Sequence, residues 1–291
     1  MNIRILYLLV ISFLLLACNN NNNDIQNHSI DKELFISQKD SLLNALVKKE
    51  ALKSDFCNLE LKIKSTDKKS LRQLRRYLKK QLDFSSKIEK EEDYYKMKIT
   101  SKSFNNSIEG ILVTASFLSN LAFKFNALPI EIKLFENEKG MKVKFTGENL
   151  FKKVMLKHLF ENYFNAYQYV IKYISNHPDD DEAVRWKAKI LRKCDLESIE
   201  IASFYKYNTK NISEFDSDSY IIRAFYLAGK KDESALNYIN KFIAKQPSNP
   251  LGKYFRGLIK LDLGDNSSAC KDLEGFEIYP KYIDKYEILC P

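Results

Sequence analysis

Apolar and charged residues alternate with period two in four short stretches. Leu59, Leu61 and Ile63 alternate with Glu60, Lys62 and Lys64, and Tyr95, Met97 and Ile99 with Lys96 and Lys98. Ile130, Ile132 and Leu134 alternate with Glu131 and Lys133, and Met141, Val143 and Phe145 with Lys142 and Lys144. Each stretch predicts a half-buried strand with one wet face, and Glu138-Lys139-Gly140 reads as a hairpin turn between the last two. Helical spacing predicts a helix over Asp31–Phe56, carried by Leu34, Leu42, Leu46 and Leu52, with no Gly or Pro to stop it. A second covers Lys68–Leu82, with Leu71, Leu74, Leu78 and Leu82 on one side and Thr66 or Asp67 as its cap. Ile108–Phe125 is apolar nearly all round, as suits a helix sunk in a core. The predicted order is β-α-β-α-β-β, a small four-stranded sheet with helices on one face.

Downstream the chain repeats itself. Ala166–Pro178 reads AYQYVIKYISNHP and Ala235–Pro247 reads ALNYINKFIAKQP, 69 residues apart. A third Ala, Ala269, follows Ala235 by 34 residues, with Pro280 one place early. Tyr254, Arg256-Gly257, Leu263-Gly264-Asp265, Ala269 and Leu273 form the clearest unit; Tyr220, Ala224, Tyr226, Gly229, Ala235 and Phe242 form the one before it. This period and these small-residue positions resemble tetratricopeptide (TPR) repeats, which are helix–turn–helix units of about 34 residues. The resemblance covers about half the chain. It implies close helix approach at Gly257 and Ala269, a turn at Gly264-Asp265, and a solvating cap over Lys281–Cys290. It also implies a peptide- or protein-binding groove. That groove is lined by Glu182, Arg185, Lys189 and Arg192 at a basic end, and by Tyr220, Ala224, Leu227, Leu251, Tyr254, Leu258 and Leu261 at an apolar one.

The first residues read as an address. One charge at Arg4 precedes an apolar run, Ile5–Ala17, which is too short for the roughly twenty residues of a membrane span. It ends at Leu15-Leu16-Ala17-Cys18, which resembles the lipobox of bacterial lipoproteins. The resemblance implies a signal peptide over residues 1–17, cleavage before Cys18 and acylation of Cys18, since stable anchoring takes more than one acyl chain. Residues 18–30 then form an Asn-rich tether. Asn19 in place of Asp after the cysteine points to the outer membrane, on its periplasmic side. A small α+β domain over residues 31–147 and the TPR-like helices over residues 148–291 complete the expected organisation. The expected fold class is mainly α: a small four-stranded α+β domain followed by a TPR-like helical hairpin array.

Composition changes this picture little. Apolar residues make up 45% and charged ones 29%, ordinary for a globular protein, while 8 Gly and 6 Pro disfavour glycine-punctuated folds. The net charge of +9 comes from 47 Lys+Arg against 38 Asp+Glu, but only eight of the cations are Arg. Arginine is the residue suited to bidentate phosphate recognition, so a nucleic-acid reader is not expected. The wet strand faces carry Lys62, Lys64, Lys96, Lys98, Lys133, Lys142 and Lys144. The Lys68–Leu82 helix carries Arg72, Arg75 and Arg76 among seven cations and no acid. Such faces suit an anionic glycan or lipid headgroup, an alternative to a protein partner.

Of the remaining cysteines, Cys270 and Cys290 can face each other as a disulfide, while Cys57 and Cys194 read as buried thiols. No CxxC pair, GxSxG, HExxH or P-loop occurs, and His28, His158 and His177 are scattered. Asp179-Asp180-Asp181-Glu182 reads as acids at a helix start. No catalytic residue, metal or cofactor is indicated. A membrane-anchored binding or scaffold protein of the envelope is the expectation.

Overall fold

The computed structural model describes residues 30–49, 54–140, 145–178, 180–199, 215–278 and 282–290. They form a mostly helical protein with a small antiparallel sheet. Helix α1 (Lys32–Lys48) starts where the Asp31 carboxylate accepts from the Glu33 amide. It is shorter than its apolar spacing predicts, because Phe56 already begins strand β1 (Phe56–Ser65). Asp67, not Thr66, caps α2 (Lys68–Tyr77), accepting from the amides of Lys69 and Ser70. The last turn of this helix, Leu78–Leu82, widens to π geometry and closes at Asp83 in the left-handed region.

Strands β2 (Ser85–Lys90), β3 (Tyr95–Thr100) and the two-residue β4 (Phe104–Asn105) follow, then α3 (Ile108–Lys124) and β5 (Leu128–Asn137). β1 lies at the centre. β3 and then β4 pair along one edge of it and β5 along the other, with β2 outside β3, so the sheet runs β2-β3-β1-β5. The gap between β3 and β4 is closed by Ser101, whose amide donates to the Leu59 carbonyl and whose Oγ accepts from the Leu59 amide at 2.9 Å. Three of the four alternating stretches are therefore β1, β3 and β5. The fourth, Met141–Phe145, lies outside the described residues except for Phe145.

Strand β2 carries no such alternation. SSKIEK has one apolar side chain, Ile88, and pairs on one edge only, so little in its composition distinguishes it from a loop. Where β5 meets the Lys62/Ile63 step of β1 the register slips by one residue, leaving Ile130 half-buried while Ile132 is buried.

Helix α3 holds the molecule together. Fourteen of its seventeen residues are buried. The sheet packs on one side of it; α1, α5 (Tyr163–Asn176) and α7 (Phe215–Gly229) pack on the others. The remaining helices are α4 (Gly147–Leu159), α6 (Asp181–Lys193), α8 (Ala235–Lys245), α9 (Leu251–Leu263), α10 (Asn266–Leu273) and α11 (Ile283–Leu289). α4 with α5, α7 with α8, and α9 with α10 pack as consecutive pairs, and α9 also leans on α7 and α8. Gly257 makes the α9–α10 approach possible: a Cβ there would sit 2.5 Å from Leu273 Cγ. Gly264, at φ +93°, turns the chain between the two helices in a conformation that glycine adopts freely.

One apolar core runs through the sheet and the helices alike, across the boundary expected near residue 147. Phe164 of α5 receives Phe84 and Phe104 edge-on, at 4.9 and 6.1 Å between ring centroids. Among the described residues no helix is long and apolar enough to cross a membrane.

Candidate functional site

The residues expected to line one groove do not share one surface. Ala224, Tyr254 and Leu258 are buried, as are Leu227 and Leu261, which corrects their assignment as partner-binding residues. The apolar stripes of α7 and α9 turn inward. Phe225 meets Phe255 edge-on at 5.6 Å, and the Tyr254 ring rests 5.3 Å from Phe276. A partner cannot reach side chains that the core already covers.

The polar part of the expected groove is on the surface. Arg185, Lys189 and Arg192 are exposed on α6, with the Lys189 ammonium 4.3 Å from the centre of the Trp186 ring. Asp180 caps this helix by accepting from the Ala183 amide, and that bond holds its carboxyl below the ordinary value. Tyr220 is half-buried on α7 and faces Tyr238 of α8 at 6.5 Å. Lys245 lies 5.2 Å over the Tyr220 ring, while Lys241 lies 5.5 Å and Arg223 5.8 Å from the Tyr238 ring. This pair of half-exposed rings under cations includes four residues that sequence reasoning passed over: Arg223 on α7, and Tyr238, Lys241 and Lys245 on α8. The spacing of the α8 residues at i, i+3 and i+7 was the available signal, hidden by the repeat register assigned to that helix.

The lysine faces divide into two. On the outer side of the sheet, register sets Glu89 beside Lys96 and Lys96 beside Lys64 in one row. The next row holds Lys87, Lys98, Lys62 and Glu131, and the third sets Glu60 against Lys133. The acids are engaged: Lys98 pairs with Glu60, while Lys62 and Lys133 reach Glu131 at 2.5 and 2.6 Å. Hydrogen bonds from Lys133 and Lys62 hold the Glu131 carboxyl at about 2. Lys64 and Lys96 make no ion pair among the described residues. Lys142 and Lys144 lie outside them, as does Cys18.

Helix α2 packs on the other side of the sheet. Its Leu71 and Leu74 are buried, and the Lys68 ammonium stands 5.2 Å from the ring of Tyr95, which shares a face with Met97 and Ile99. The exposed Arg72, Arg75 and Arg76 therefore point away from Lys62, Lys64, Lys96 and Lys98. The anionic-ligand site expected from both sets is two separate surfaces.

Cys270 and Cys290 are joined as a disulfide, with Cα atoms 5.4 Å apart, so α11 is tied to α10. Cys57 and Cys194 are buried free thiols; burial pushes Cys57 up to about 12 and raises Cys194 as well. Among the described residues no group of three or more His, Cys, Asp or Glu side chains is placed to hold a metal.

No family model, curated protein or solved structure matches this chain.

The deepest polar cluster also went unforeseen. On α3, Glu109 accepts from the Tyr167 hydroxyl at 2.7 Å and pairs with Lys187 of α6 at 2.8 Å, with 6% of the acid's side chain and 4% of the lysine's exposed. Buried and engaged by these partners, it ties α3 to α5 and α6.

Proposed function

We propose that this chain is a lipid-anchored protein of the bacterial envelope that binds a protein partner through a TPR-like helical half. The paired helices α4–α5, α7–α8 and α9–α10, the close approach at Gly257 and the left-handed turn at Gly264 support the repeat reading. The lipobox-like Leu15-Leu16-Ala17-Cys18 supports the anchor. The observation that carries the binding role is the Tyr220–Tyr238 pair beneath Lys241 and Lys245. Tyrosine offers large, rigid contact area at low entropic cost, and aromatic anchors dominate binding hot spots. The cations above the rings suit a partner segment that carries acids beside apolar residues.

The test is in-cell crosslinking followed by pull-down of the tagged full chain, washed at low and high salt. A protein held through high salt by the wild type, and lost in Tyr220→Ala/Tyr238→Ala, is the expected result. Loss with Arg185→Glu/Lys189→Glu at low salt alone would make the contact electrostatic, since surface charges are screened within about 8 Å at physiological salt. No partner under either wash would defeat the proposal.

A second reading has its own observation. Lys64 and Lys96 stand side by side on the sheet and make no ion pair among the described residues, with Glu89 across from Lys96 the one acid in their row, which suits an anionic glycan or lipid headgroup. Retention of glycan or lipid by the wild type, abolished in Lys64→Glu/Lys96→Glu, would favour that reading over the protein partner.

A further inference from the structure

The α4–α5 turn leaves large apolar side chains in solvent. Leu159 is 69% exposed, Phe160 58% and Leu156 42%. Contiguous exposed apolar groups on a soluble face mark an interaction site. What surrounds this turn identifies its occupant.

On one side, Asn162 Nδ2 donates to the Gln81 carbonyl at 3.2 Å, which fixes the turn against the end of the basic segment Lys68–Leu82. Tyr77 in that segment packs 6.3 Å from Phe125 and feels the charge of Glu161, which contributes to raising its hydroxyl pKa after burial. Arg76, Lys79 and Lys80 of that segment are all exposed. On the other side, Lys124 at the end of α3 pairs with Glu161 at 2.5 Å, and its neighbour Phe123 stacks on Phe35 of α1 at 4.4 Å. Beside Phe35 is Leu34, 46% exposed in the first turn of α1. The Asn162–Gln81 and Lys124–Glu161 contacts thus tie the turn to the basic segment and to the end of α3, where Phe123 meets the first turn of α1.

α1 is also where the chain would come from its anchor. Residues 18–29 separate Cys18 from the first described residue, and a chain of that length reaches at most about 40 Å. The apolar turn, its basic flank and the point of attachment therefore occupy one end of the molecule. We infer that this end, with Leu159, Phe160 and Leu34 as its apolar contacts and Arg76, Lys79 and Lys80 as its cations, docks on the surface of an anionic phospholipid bilayer. Apolar side chains on such faces enter about 5–10 Å into the headgroup and acyl boundary, while neighbouring cations meet anionic lipid. This orientation rests on the lipid-anchor reading and adds to it: the tether sets proximity and the docking face sets pose.

The test uses the full chain produced with its own leader, extracted in mild detergent and reconstituted into vesicles of zwitterionic and anionic phospholipid with brominated acyl chains. Leu159→Trp places a reporter on the turn, and Ile288→Trp, at an exposed position on α11, is the control; the wild type supplies the emission of its single tryptophan, Trp186. The expected result is loss of most of the added emission for Leu159→Trp and none for Ile288→Trp, with the loss relieved by Arg76→Glu/Lys80→Glu. Full emission at residue 159, with the protein still on the vesicles, overturns the docking while leaving the anchor intact. Equal loss at both positions, or loss that does not need anionic lipid, also overturns it. Shielding of the residue-159 reporter from iodide in solution as well as from the bromines means that a protein, a second copy included, covers the turn, and overturns it too. The mass of the Cys18 peptide reports the anchor separately. If Cys18 carries no acyl chain, the anchor reading fails, and quenching of Leu159→Trp alone then decides whether the face meets lipid.

Discussion

Glu109 and Lys187 are charges that the interior tolerates only as a pair. Each is nearly free of solvent, and the Tyr167 hydroxyl satisfies the carboxylate further. Removing one partner leaves the other uncompensated, so Lys187→Met should cost about 3–5 kcal/mol in chemical denaturation. The double variant Glu109→Gln/Lys187→Met should recover most of that loss, because no orphan charge remains and the introduced amide can still accept from Tyr167. His158 offers a second residue-scale prediction. Burial, then the charges of Lys193 and Lys189, hold its imidazole below the ordinary 6.5. The unfolded chain therefore takes up this proton before the folded one does. As pH falls through 6.5, stability declines, until the folded His158 titrates in its turn. Its ring lies 5.2 Å from that of Trp186, the chain's single tryptophan, and a protonated imidazole quenches indole emission. A step in Trp186 emission with its midpoint below 6.5, absent in His158→Phe, checks the direction.

Between elements, close approach and covalent closure set the geometry. Gly257→Ala drives a methyl into Leu273 Cγ, and the Ala269 carbonyl oxygen stands at 3.3 Å, so backbone as well as side chain must yield. Overpacking of this kind should cost about 1–3 kcal/mol, read as a lower denaturation midpoint. Cys290→Ser opens a loop of 20 residues and removes up to about 3 kcal/mol in the chain-entropy model, with faster amide exchange across α11 as its local sign.

At this scale the limits of sequence reading are clearest. The all-round apolar character of α3, a cap at Thr66 or Asp67 and the alternation of β1, β3 and β5 were legible because each follows from local chemistry, while the turn at Gly264 came from the repeat resemblance. Strand β2 was not, since an edge strand of SSKIEK is stabilised by its pairing to β3 and carries little signal of its own. The groove residues failed for a different reason. Helical periodicity at Ala224, Tyr254 and Leu258 identifies an apolar stripe, but a stripe that faces a groove and one that faces a core have the same period. The Tyr220–Tyr238 pair needs two helices to be seen at all.

At the scale of the whole molecule, both halves of the chain cover α3. Ser116 of α3 donates to the Cys194 carbonyl at 2.5 Å, and Lys39 and Asn120 converge on Asp195 at 2.5 and 3.0 Å. A chain ending at residue 147 should therefore give no protease-resistant core, because one whole side of α3 would lie bare; limited proteolysis beside the full chain decides it. Helix α1 is bound as firmly to distant partners. Arg223 donates to the Val47 and Lys49 carbonyls, Lys48 pairs with Asp232 and Lys230 with Asp40. That wiring has a cost in time. A ribosome adds about 5–20 residues per second, so the roughly 180 residues between α1 and these partners take on the order of 10–40 s to make. Throughout that interval the Val47 end of α1 lacks the cover and the ion pairs that α7 and its following turn supply. A helix synthesised early must wait for its last neighbours, and nascent chains stalled before Arg223 should be the forms that holding chaperones capture.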